Sequence, residues 1–341
     1  MRILLLMDPF IPVPPVHYGG IERVIYDIAC QYVKMGHSVT IVSGPNSKSP
    51  DKLIEYGRNS DIQYIKIDWK LSLELFSILR KEIKTHDVIH NFGRLFWMYL
   101  IFNSKIKKVQ TYMRYISPRN IQILNKIGCR NITYTAVSDA IVKTGISGGG
   151  NWKTVYNCTP IEQFEFVADV PSQAPLFFIG RLERCKGAHT AIKVAQLTKR
   201  KLIIAGTISP IEEEINYFEN ELRPHFDGEL IQFIGPIDNE RKNKIFGSCA
   251  AMLLPVEWYE PFPIVLPESY ACGTPILAFP GGGVPEGIIH GQTGYISTSA
   301  EEMASQVKEI DKLSRKKCRE LAVELYSDLK IANDYFQIYS N

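Results

Sequence analysis

Short apolar runs alternate with amphipathic stretches through the first half of the chain. From residue 21 to residue 35 the apolar positions recur at helical spacing, and Gly36 follows as a stop signal. Apolar runs that are short enough for buried strands lie at residues 3–7, 38–42, 63–67, 88–90, 108–111 and 134–137. This alternation predicts a parallel sheet that is covered by helices on both faces.

A second series of the same kind follows residue 174. It predicts helices at 188–197 and 210–222, between strands at 176–179, 202–205, 231–234, 250–255 and 275–279. Residues 157–174 contain several acids and two prolines, which favours a linker. Spaced apolar residues from 320 to 339 predict one last helix. The chain therefore predicts an α/β protein with two Rossmann-like halves.

Length and composition fit two ordinary globular domains. A chain of 341 residues suits two domains of about 150 to 170 residues, and its 45% hydrophobic and 22% charged content is that of a soluble protein. No apolar run reaches the roughly 18 to 20 residues of a membrane-spanning helix. The apolar start ends at Asp8 and Pro9, as a first strand does, rather than continuing as a secretory signal. We therefore expect a cytoplasmic protein.

The seven cysteines form no C-x-x-C pair, so neither a disulfide framework nor a zinc site is predicted.

Charge is divided unevenly between the halves. Residues 1–165 carry 21 Lys and Arg against 13 Asp and Glu, a net charge of +8, whereas residues 166–341 carry 18 against 23, a net charge of −5. A basic half would attract an anionic acceptor or the inner face of the membrane, at about 1 kcal/mol per cation. The alternative is a solvated face with salt bridges. The densest basic cluster comprises Lys105, Lys107, Lys108, Arg114, Arg119, Lys126 and Arg130.

Two carboxylates stand eight residues apart across a predicted helix start. Pro263 suits the first helical turn, and Gly273 suits the left-handed position that closes a helix. Glu260 then lies in the preceding loop and Glu268 in the helix. The first turn of a helix offers unpaired N–H groups to a phosphate. Two acids beside such an anion site favour a ligand with both phosphate and hydroxyl groups. The alternative role for both acids is helix capping or a dipole interaction.

Two cations follow the strand predicted at 176–179. Arg181 and Lys186 would meet at the carboxyl end of that strand, the usual ligand position in open α/β sheets. An arginine binds a phosphate through two parallel hydrogen bonds, and a lysine supplies a point charge. Together they would stabilise a diphosphate without a metal. The alternative is a salt bridge between Arg181 and Glu183.

These segments resemble the retaining glycosyltransferases of family 4, and the resemblance covers nearly the whole chain. The acids Glu260 and Glu268 match the E-x7-E signature of that family. Other matching segments are its Gly-Gly loop at 14–23, its diphosphate-binding segment at 179–187 and its later glycine-rich segments at 280–286 and 291–294. The resemblance implies a GT-B fold, in which two Rossmann-like domains face a central cleft. The acceptor domain would comprise residues 1–165 with a returning helix at about 322–341, and the donor domain residues 170–321.

The resemblance also implies a reaction and its partners. A hexose would move from a UDP- or GDP-linked sugar to an acceptor hydroxyl, with retention at the anomeric carbon and without a metal or other cofactor. The acceptor would be a glycan, a lipid-linked molecule or a small molecule in cell-surface glycan or glycolipid synthesis. No nucleic acid partner is implied. The basic N-terminal domain is a candidate for peripheral contact with an anionic membrane.

Particular residues take roles from this resemblance. It assigns catalysis to Glu260, Arg181 and Lys186, which also bind the donor, and it assigns the ribose diol to Glu268. Further donor contacts are assigned to Gly235, Gly282, Gly283, Pro263 and Ile264. The acceptor and phosphate loop is assigned to Gly19, Gly20 and His90, for which a plain turn and a core histidine are the alternatives.

Two departures leave other functions open. Pro263 stands where the family has Gly, and Met113 stands where it commonly has His. A sugar-nucleotide epimerase of the same double-Rossmann layout is one alternative, and a non-catalytic sugar-nucleotide binding protein is another. Glu257 is interpreted as a surface charge.

Overall fold

A computed structural model describes residues 1–15, 19–58 and 69–341 of the chain. The chain divides into two compact units, and unit 2 comprises Thr159–Ser327. Unit 1 comprises Met1–Cys158 together with Asp328–Asn341. The first boundary lies inside the stretch 157–174, whose composition favours a linker.

Unit 1 contains one sheet of seven parallel strands. Its strands are β1 (Arg2–Leu6), β2 (Ser38–Ser43), β3 (Lys52–Glu55), β4 (Val88–Asn91), β5 (Lys107–Tyr112), β6 (Ile132–Ala136) and β7 (Asn151–Thr154). Its first helices are α1 (Gly20–Lys34), α2 (Trp69–Glu82), α3 (Phe96–Tyr99), α4 (Pro118–Lys126) and α5 (Asp139–Gly145). The order β3-β2-β1-β4-β5-β6-β7 reverses direction between β1 and β4.

The strand β1 is buried on both faces, which explains its continuous apolar sequence. It pairs in parallel with β2 and β4, so that Ile3 lies opposite Val39 on one side and Val88 on the other. The strands predicted from apolar runs are confirmed in unit 1, except that residues 63–67 lie outside the described residues. The peripheral strands β3 and β7 were not predicted, because they are only partly buried and mix polar with apolar residues.

Unit 2 repeats the pattern with six parallel strands. Its strands are β8 (Leu176–Ile179), β9 (Leu202–Ala205), β10 (Ile231–Phe233), β11 (Ala251–Leu254), β12 (Ile276–Ala278) and β13 (Gly294–Ile296). Its helices are α6 (Ala188–Thr198), α7 (Glu212–Tyr217), α8 (Asn239–Ser248), α9 (Val265–Ala271), α10 (Ala300–Val307) and α11 (Arg315–Tyr326). The order β10-β9-β8-β11-β12-β13 reverses between β8 and β11. Ligands of open α/β sheets bind at such a reversal, outside the carboxyl ends of the strands.

The helix predicted for residues 320–339 is two helices in the structure. Ser327 has an extended backbone and ends α11, after which α12 (Asp328–Ser340) belongs to unit 1. There α12 packs against α1, where Gln31 Nε2 donates to Asp328 Oδ2 at 2.5 Å and Tyr32 donates to Tyr339 at 3.1 Å. The return of the chain to unit 1 therefore depends on a break that apolar spacing does not reveal.

The length and polarity of a helix decide whether it can span a membrane. Across the ranges 1–15, 19–58 and 69–341, every helix is too short or too polar to cross a bilayer.

Candidate functional site

The loops after β8 and β11 meet at the reversal of the unit 2 sheet. The loop after β8 carries Arg181 and a 3-10 turn at Arg184–Lys186, and the loop after β11 carries Glu260. Gly187 follows the turn with φ +78°, and a Cβ there would clash with the Pro255 carbonyl oxygen. Because glycine allows this close approach, the two loops lie in contact.

Lys186, Trp258 and Glu260 form one cluster at this position. Lys186 Nζ lies 2.6 Å from Glu260 Oε2, and Trp258 Nε1 donates to the same oxygen at 2.6 Å. The ammonium group also lies 4.6 Å from the centroid of the Trp258 ring. The Lys186 and Glu260 side chains are only 18% and 9% exposed. The carboxylate of Glu260 is therefore held by one donor from each of the two loops, and the start of α9, a helix that is described throughout, has no side-chain cap.

Arg181 pairs with Glu183, the contact that the sequence offered as an alternative to ligand binding. Arg181 Nη1 donates to Glu183 Oε1, and Glu183 is buried. The backbone N–H of Lys186 also donates to the Glu183 carbonyl oxygen at 2.9 Å. Glu183 therefore contacts both Arg181 and Lys186. A guanidinium has five N–H donors, so an ion pair can orient it for a second anion.

Glu268 forms a buried ion pair that the sequence did not predict. It lies in α9 and is 3% exposed, and Lys242 Nζ of α8 donates to its Oε1 atom. Breaking such a buried pair by removing one partner leaves an uncompensated charge. Lys242 precedes Glu268 by 26 residues, and no local pattern marks it as a site residue. The glutamate is therefore oriented by its lysine partner.

The remaining residues assigned to the donor line the same edge of the sheet. Pro263 and Ile264 precede α9, which begins at Val265, so the prediction that Pro263 lies in the first helical turn is wrong. Gly283 N donates to the Glu260 carbonyl oxygen at 2.8 Å. In the loop after β10, the Gly235 carbonyl oxygen accepts from Gly206 N at 3.0 Å. Trp258 was not predicted, although it stands only two residues before Glu260.

Gly282 allows the glycine-rich loop to approach Glu260, and this predicts a measurable effect. Its φ is +56°, and a Cβ would clash with the Glu260 carbonyl oxygen. Gly282→Ala should therefore displace the carboxylate and lower kcat/KM by about 10- to 100-fold for the sugar transfer that the sequence resemblance implies. Gly228→Ala is the matched control, because Gly228 has φ +76° with open space around it. Equal activity of the two variants would contradict this role for Gly282.

In unit 1, Asp8 joins the loops after β1 and β4 at the reversal of the sheet. Asp8 Oδ1 accepts from Trp97 Nε1 at 2.6 Å and from Arg94 N at 3.1 Å. Arg94 Nε lies 3.5 Å from Asp8 Oδ2. Gly19 precedes α1 with φ +153°, and Gly20 is the first residue of that helix. Residues 16–18 of the predicted Gly-Gly loop lie outside the described residues.

A cavity of about 170 Å³ opens beside this position. It lies after β4 and β5 and is lined by residues 92–95, 111–117 and Asn120. Arg94 and Arg114 give its wall a positive charge. Tyr112 also lines it, and within the described residues the buried Tyr112 hydroxyl has no hydrogen-bond partner. Its chemistry therefore suits a ligand with hydroxyl groups and a negative charge.

His90 does not lie at an accessible position, so its assignment to the acceptor loop is wrong. It is 0% exposed, and its Nδ1 and Nε2 atoms lie 2.5 Å from the Tyr339 hydroxyl and 2.6 Å from Thr111 Oγ1. Burial holds the pKa of His90 well below its usual range. The residue therefore ties the sheet to α12, which is the core role that the sequence left open.

Two lysines of the basic cluster predicted from the sequence do not contribute to an exposed basic surface. Lys108 is fully buried, and its Nζ donates to the carbonyl oxygens of Ser104, Ile106 and Arg130 at 2.6, 3.1 and 2.9 Å. Lys107 Nζ donates to the Tyr339 carbonyl oxygen at 2.6 Å. These two cations satisfy main-chain groups of unit 1, so they are not part of a surface for anionic partners.

The buried carboxyl of Glu22 should make the stability of the protein depend on pH. Burial raises the pKa of its carboxyl to about 7, with Asp8 adding to the shift and Arg114 opposing it. Between its ordinary pKa of 4.5 and this value the folded chain binds more protons than the unfolded chain, so the free energy of unfolding falls as pH rises. Glu22→Gln should therefore stabilise the protein by about 3 kcal/mol near pH 8 and by little near pH 4.

Thermal denaturation across this pH range measures the effect. Glu55→Gln is the control, because Glu55 is an exposed acid in the same unit. A Glu22→Gln variant that is no more stable than wild type at the higher pH would contradict a raised pKa of the buried Glu22 carboxyl.

A metal ion is held by several His, Cys, Asp or Glu side chains that lie close together. Within the part of the chain that the structure describes, no three His, Cys, Asp or Glu side chains are grouped so as to hold a metal ion.

Two family models match the chain. Residues 162–330 match the glycosyl transferases group 1, and residues 18–144 match glycosyltransferase family 4. Glycogen synthase of Mycobacterium tuberculosis is 30% identical over 174 residues, which are 50% of this chain and 41% of that enzyme. The matching segment thus spans less than half the length of this relative.

Solved structures resemble the whole chain. Sucrose-phosphate synthase from Thermosynechococcus elongatus has a TM-score of 0.79 at 20% identity, covering 100% of this chain and 98% of that one. Anabaena HepE in complex with UDP-glucose has a TM-score of 0.76 at 17% identity, covering 100% and 99%. At these identities the likeness shows the fold, which is the GT-B fold.

Proposed function

The chain belongs to the family 4 glycosyltransferases, and from this premise we propose that it moves a hexose from a nucleoside diphosphate sugar to an acceptor hydroxyl. The observation that carries the proposal is the cluster of Lys186, Trp258 and Glu260, beside Arg181, at the reversal of the unit 2 sheet. Cations and a fixed carboxylate at this position suit a diphosphate joined to a sugar. The donor is UDP- or GDP-linked, and the reaction proceeds with retention and without a metal.

The cations act on the leaving group. As the bond between the anomeric carbon and the diphosphate oxygen breaks, negative charge grows on the diphosphate, and Arg181 and Lys186 stabilise it. Glu183 orients the guanidinium, and Trp258 and Glu260 hold the ammonium group. The acceptor oxygen attacks from the same face, and its proton passes to the departing phosphate. The rate enhancement is therefore electrostatic and positional.

The two glutamates position the rest of the donor. Glu260 accepts hydrogen bonds from sugar hydroxyls, while its Oε2 atom keeps its contact with Lys186. Glu268 accepts hydrogen bonds from the two ribose hydroxyls, and Lys242 holds its carboxylate in the orientation that these bonds require. The buried pair reduces the number of carboxylate orientations before the donor binds, which lowers the entropic cost of binding.

The acceptor binds in unit 1, at the cavity beside Arg94 and Arg114. Its volume of about 170 Å³ suits one sugar-sized group, and its two arginines favour an anionic acceptor. This cavity replaces His90 as the acceptor position. A glycan, a lipid-linked molecule or a small molecule of cell-surface glycan or glycolipid synthesis fits this chemistry, at the cytoplasmic side of the membrane.

A screen of thermal shifts with UDP-, GDP- and ADP-linked hexoses tests the donor, because a ligand of the folded state raises the melting temperature. The sugar nucleotide with the largest shift is then incubated with sugar phosphates and membrane lipid extract. NMR of the product reports the anomeric configuration. The reaction rate in the presence of a chelator shows whether a metal is needed.

Acceptor-dependent product with release of nucleoside diphosphate supports the proposal. Release of a free epimer without acceptor indicates an epimerase instead. Tight nucleotide binding without any release under all conditions indicates a binding protein. Absence of any shift over the whole panel contradicts the proposed donor site.

A further inference from the structure

Helix α2 has two faces of unlike character. Leu75, Leu79 and Glu82 are buried on the side that faces the unit 1 core. Trp69, Leu73 and Phe76 are 67%, 56% and 38% exposed. Their spacing of four and three residues places these three large apolar side chains in one stripe on the outer face. We call Trp69, Leu73 and Phe76 the α2 stripe.

Cations flank the α2 stripe. Helical spacing places Arg80 in line with it and Lys70 and Lys81 along one side, and Lys84 follows two residues after the helix ends; all four are exposed. Lys70 Nζ lies 5.7 Å from the centroid of the Trp69 ring. Glu74 is the one exposed acid of α2, every residue of which is described, and its Oε2 accepts from Gly57 N at 3.3 Å. The outer face of α2 is therefore both apolar and strongly basic.

We propose that the α2 stripe inserts into the headgroup region of an anionic phospholipid bilayer. A surface helix with tryptophan, phenylalanine and leucine on one face and cations beside them is the pattern of helices that lie in a membrane interface. Protein interfaces, by contrast, are depleted of lysine. Charge complementarity with anionic lipid therefore favours a membrane over a protein partner.

The position of α2 connects this surface with the acceptor cavity. Leu71 lies beside Gly57 and Pro9, which follow β3 and β1 at the carboxyl edge of the unit 1 sheet. The amino-terminal half of the stripe therefore lies toward the edge at which the cavity with Arg94 and Arg114 opens. A lipid-linked anionic acceptor would reach that cavity from the bilayer. This last step rests on the proposed function, whereas the contact with lipid does not.

Co-sedimentation with vesicles tests the contact. The full chain is mixed with vesicles of phosphatidylcholine, either pure or with about one third phosphatidylglycerol. Wild type should bind the anionic vesicles at least about tenfold more tightly than the neutral ones, and added salt should weaken the binding. Trp69→Ser/Phe76→Ser should bind the anionic vesicles at least about tenfold less tightly than wild type. Lys70→Gln/Lys81→Gln should lose most of the preference for anionic lipid.

Leu197→Ser/Ile211→Ser is the matched control. These two residues are each 52% exposed in unit 2, so the control removes exposed apolar side chains at another surface. It should bind vesicles as wild type does. Wild type that stays in the supernatant with anionic vesicles overturns the proposal, as does equal binding by the Trp69→Ser/Phe76→Ser variant. Self-association in the absence of lipid that the same variant abolishes also overturns it, because the stripe is then a protein interface.

The thermal shift with sugar nucleotides is measured on the same variants. Vesicle binding without any donor shift leaves the lipid contact standing and refutes the proposed donor site. A donor shift without vesicle binding refutes the lipid contact alone.

Discussion

Lys186→Ala is expected to lower the rate of sugar transfer by about 100- to 1000-fold. The ammonium group lies at the end of a 3-10 turn, 2.6 Å from Glu260 and over the Trp258 ring, where it would meet the leaving diphosphate. Its stabilisation of that group grows as the glycosidic bond breaks, so kcat should fall more than donor affinity. Initial rates over a range of donor concentrations measure both quantities.

Arg184→Ala provides the control for this variant. Arg184 lies in the same turn, but it is half exposed and pairs with Glu221 on the protein surface. Its removal should leave kcat within about twofold of wild type. If Lys186→Ala and Arg184→Ala have the same kcat, Lys186 does not contact the leaving group.

Arg315→Met is expected to lower the free energy of unfolding by about 3 to 5 kcal/mol. Arg315 is buried at the start of α11, where it donates to five acceptors in unit 2. These are the carbonyl oxygens of Val167, Gly247, Cys249 and Cys272 and the hydroxyl of Thr274. Methionine fills much of the volume but leaves these buried acceptors without their donor, which costs more than the lost bonds alone.

Chemical denaturation followed by fluorescence and by circular dichroism measures this loss. Lys316→Met is the control, because its side chain is 84% exposed and its pairing with Glu320 is 4.0 Å long. That change should alter the free energy of unfolding by less than about 0.5 kcal/mol. Equal stabilities of the two variants would show that the Arg315 bonds do not hold the unit 2 loops.

The buried strands could be predicted from the sequence, because a strand covered on both faces is a short continuous apolar run. Peripheral strands β3 and β7 lack this signature, since solvent reaches part of each. The break between α11 and α12 at Ser327 could not be predicted from the sequence either. Leu325 and Leu329 continue the helical spacing across it, although both are exposed on the surface and neither forms part of a continuous buried stripe.

The candidate donor site was predictable where its residues lie close together in sequence. Arg181 and Lys186 follow one strand, and Glu260 and Glu268 share one loop and helix. Lys242 was not predictable, because only the packing of α8 on α9 brings it to Glu268. His90 was misjudged for the same reason, since its partner Tyr339 lies 249 residues away on α12.

The affinity for a nucleoside diphosphate relative to its monophosphate tests the donor site most directly. Calorimetric titration of wild type and of Arg181→Ala gives both values, with the nucleotide that produces the largest thermal shift. Wild type should bind the diphosphate at least about tenfold more tightly than the monophosphate. Arg181→Ala should lose most of that preference while its monophosphate affinity stays unchanged. A variant that keeps the full preference would place the diphosphate elsewhere and contradict this account of the site.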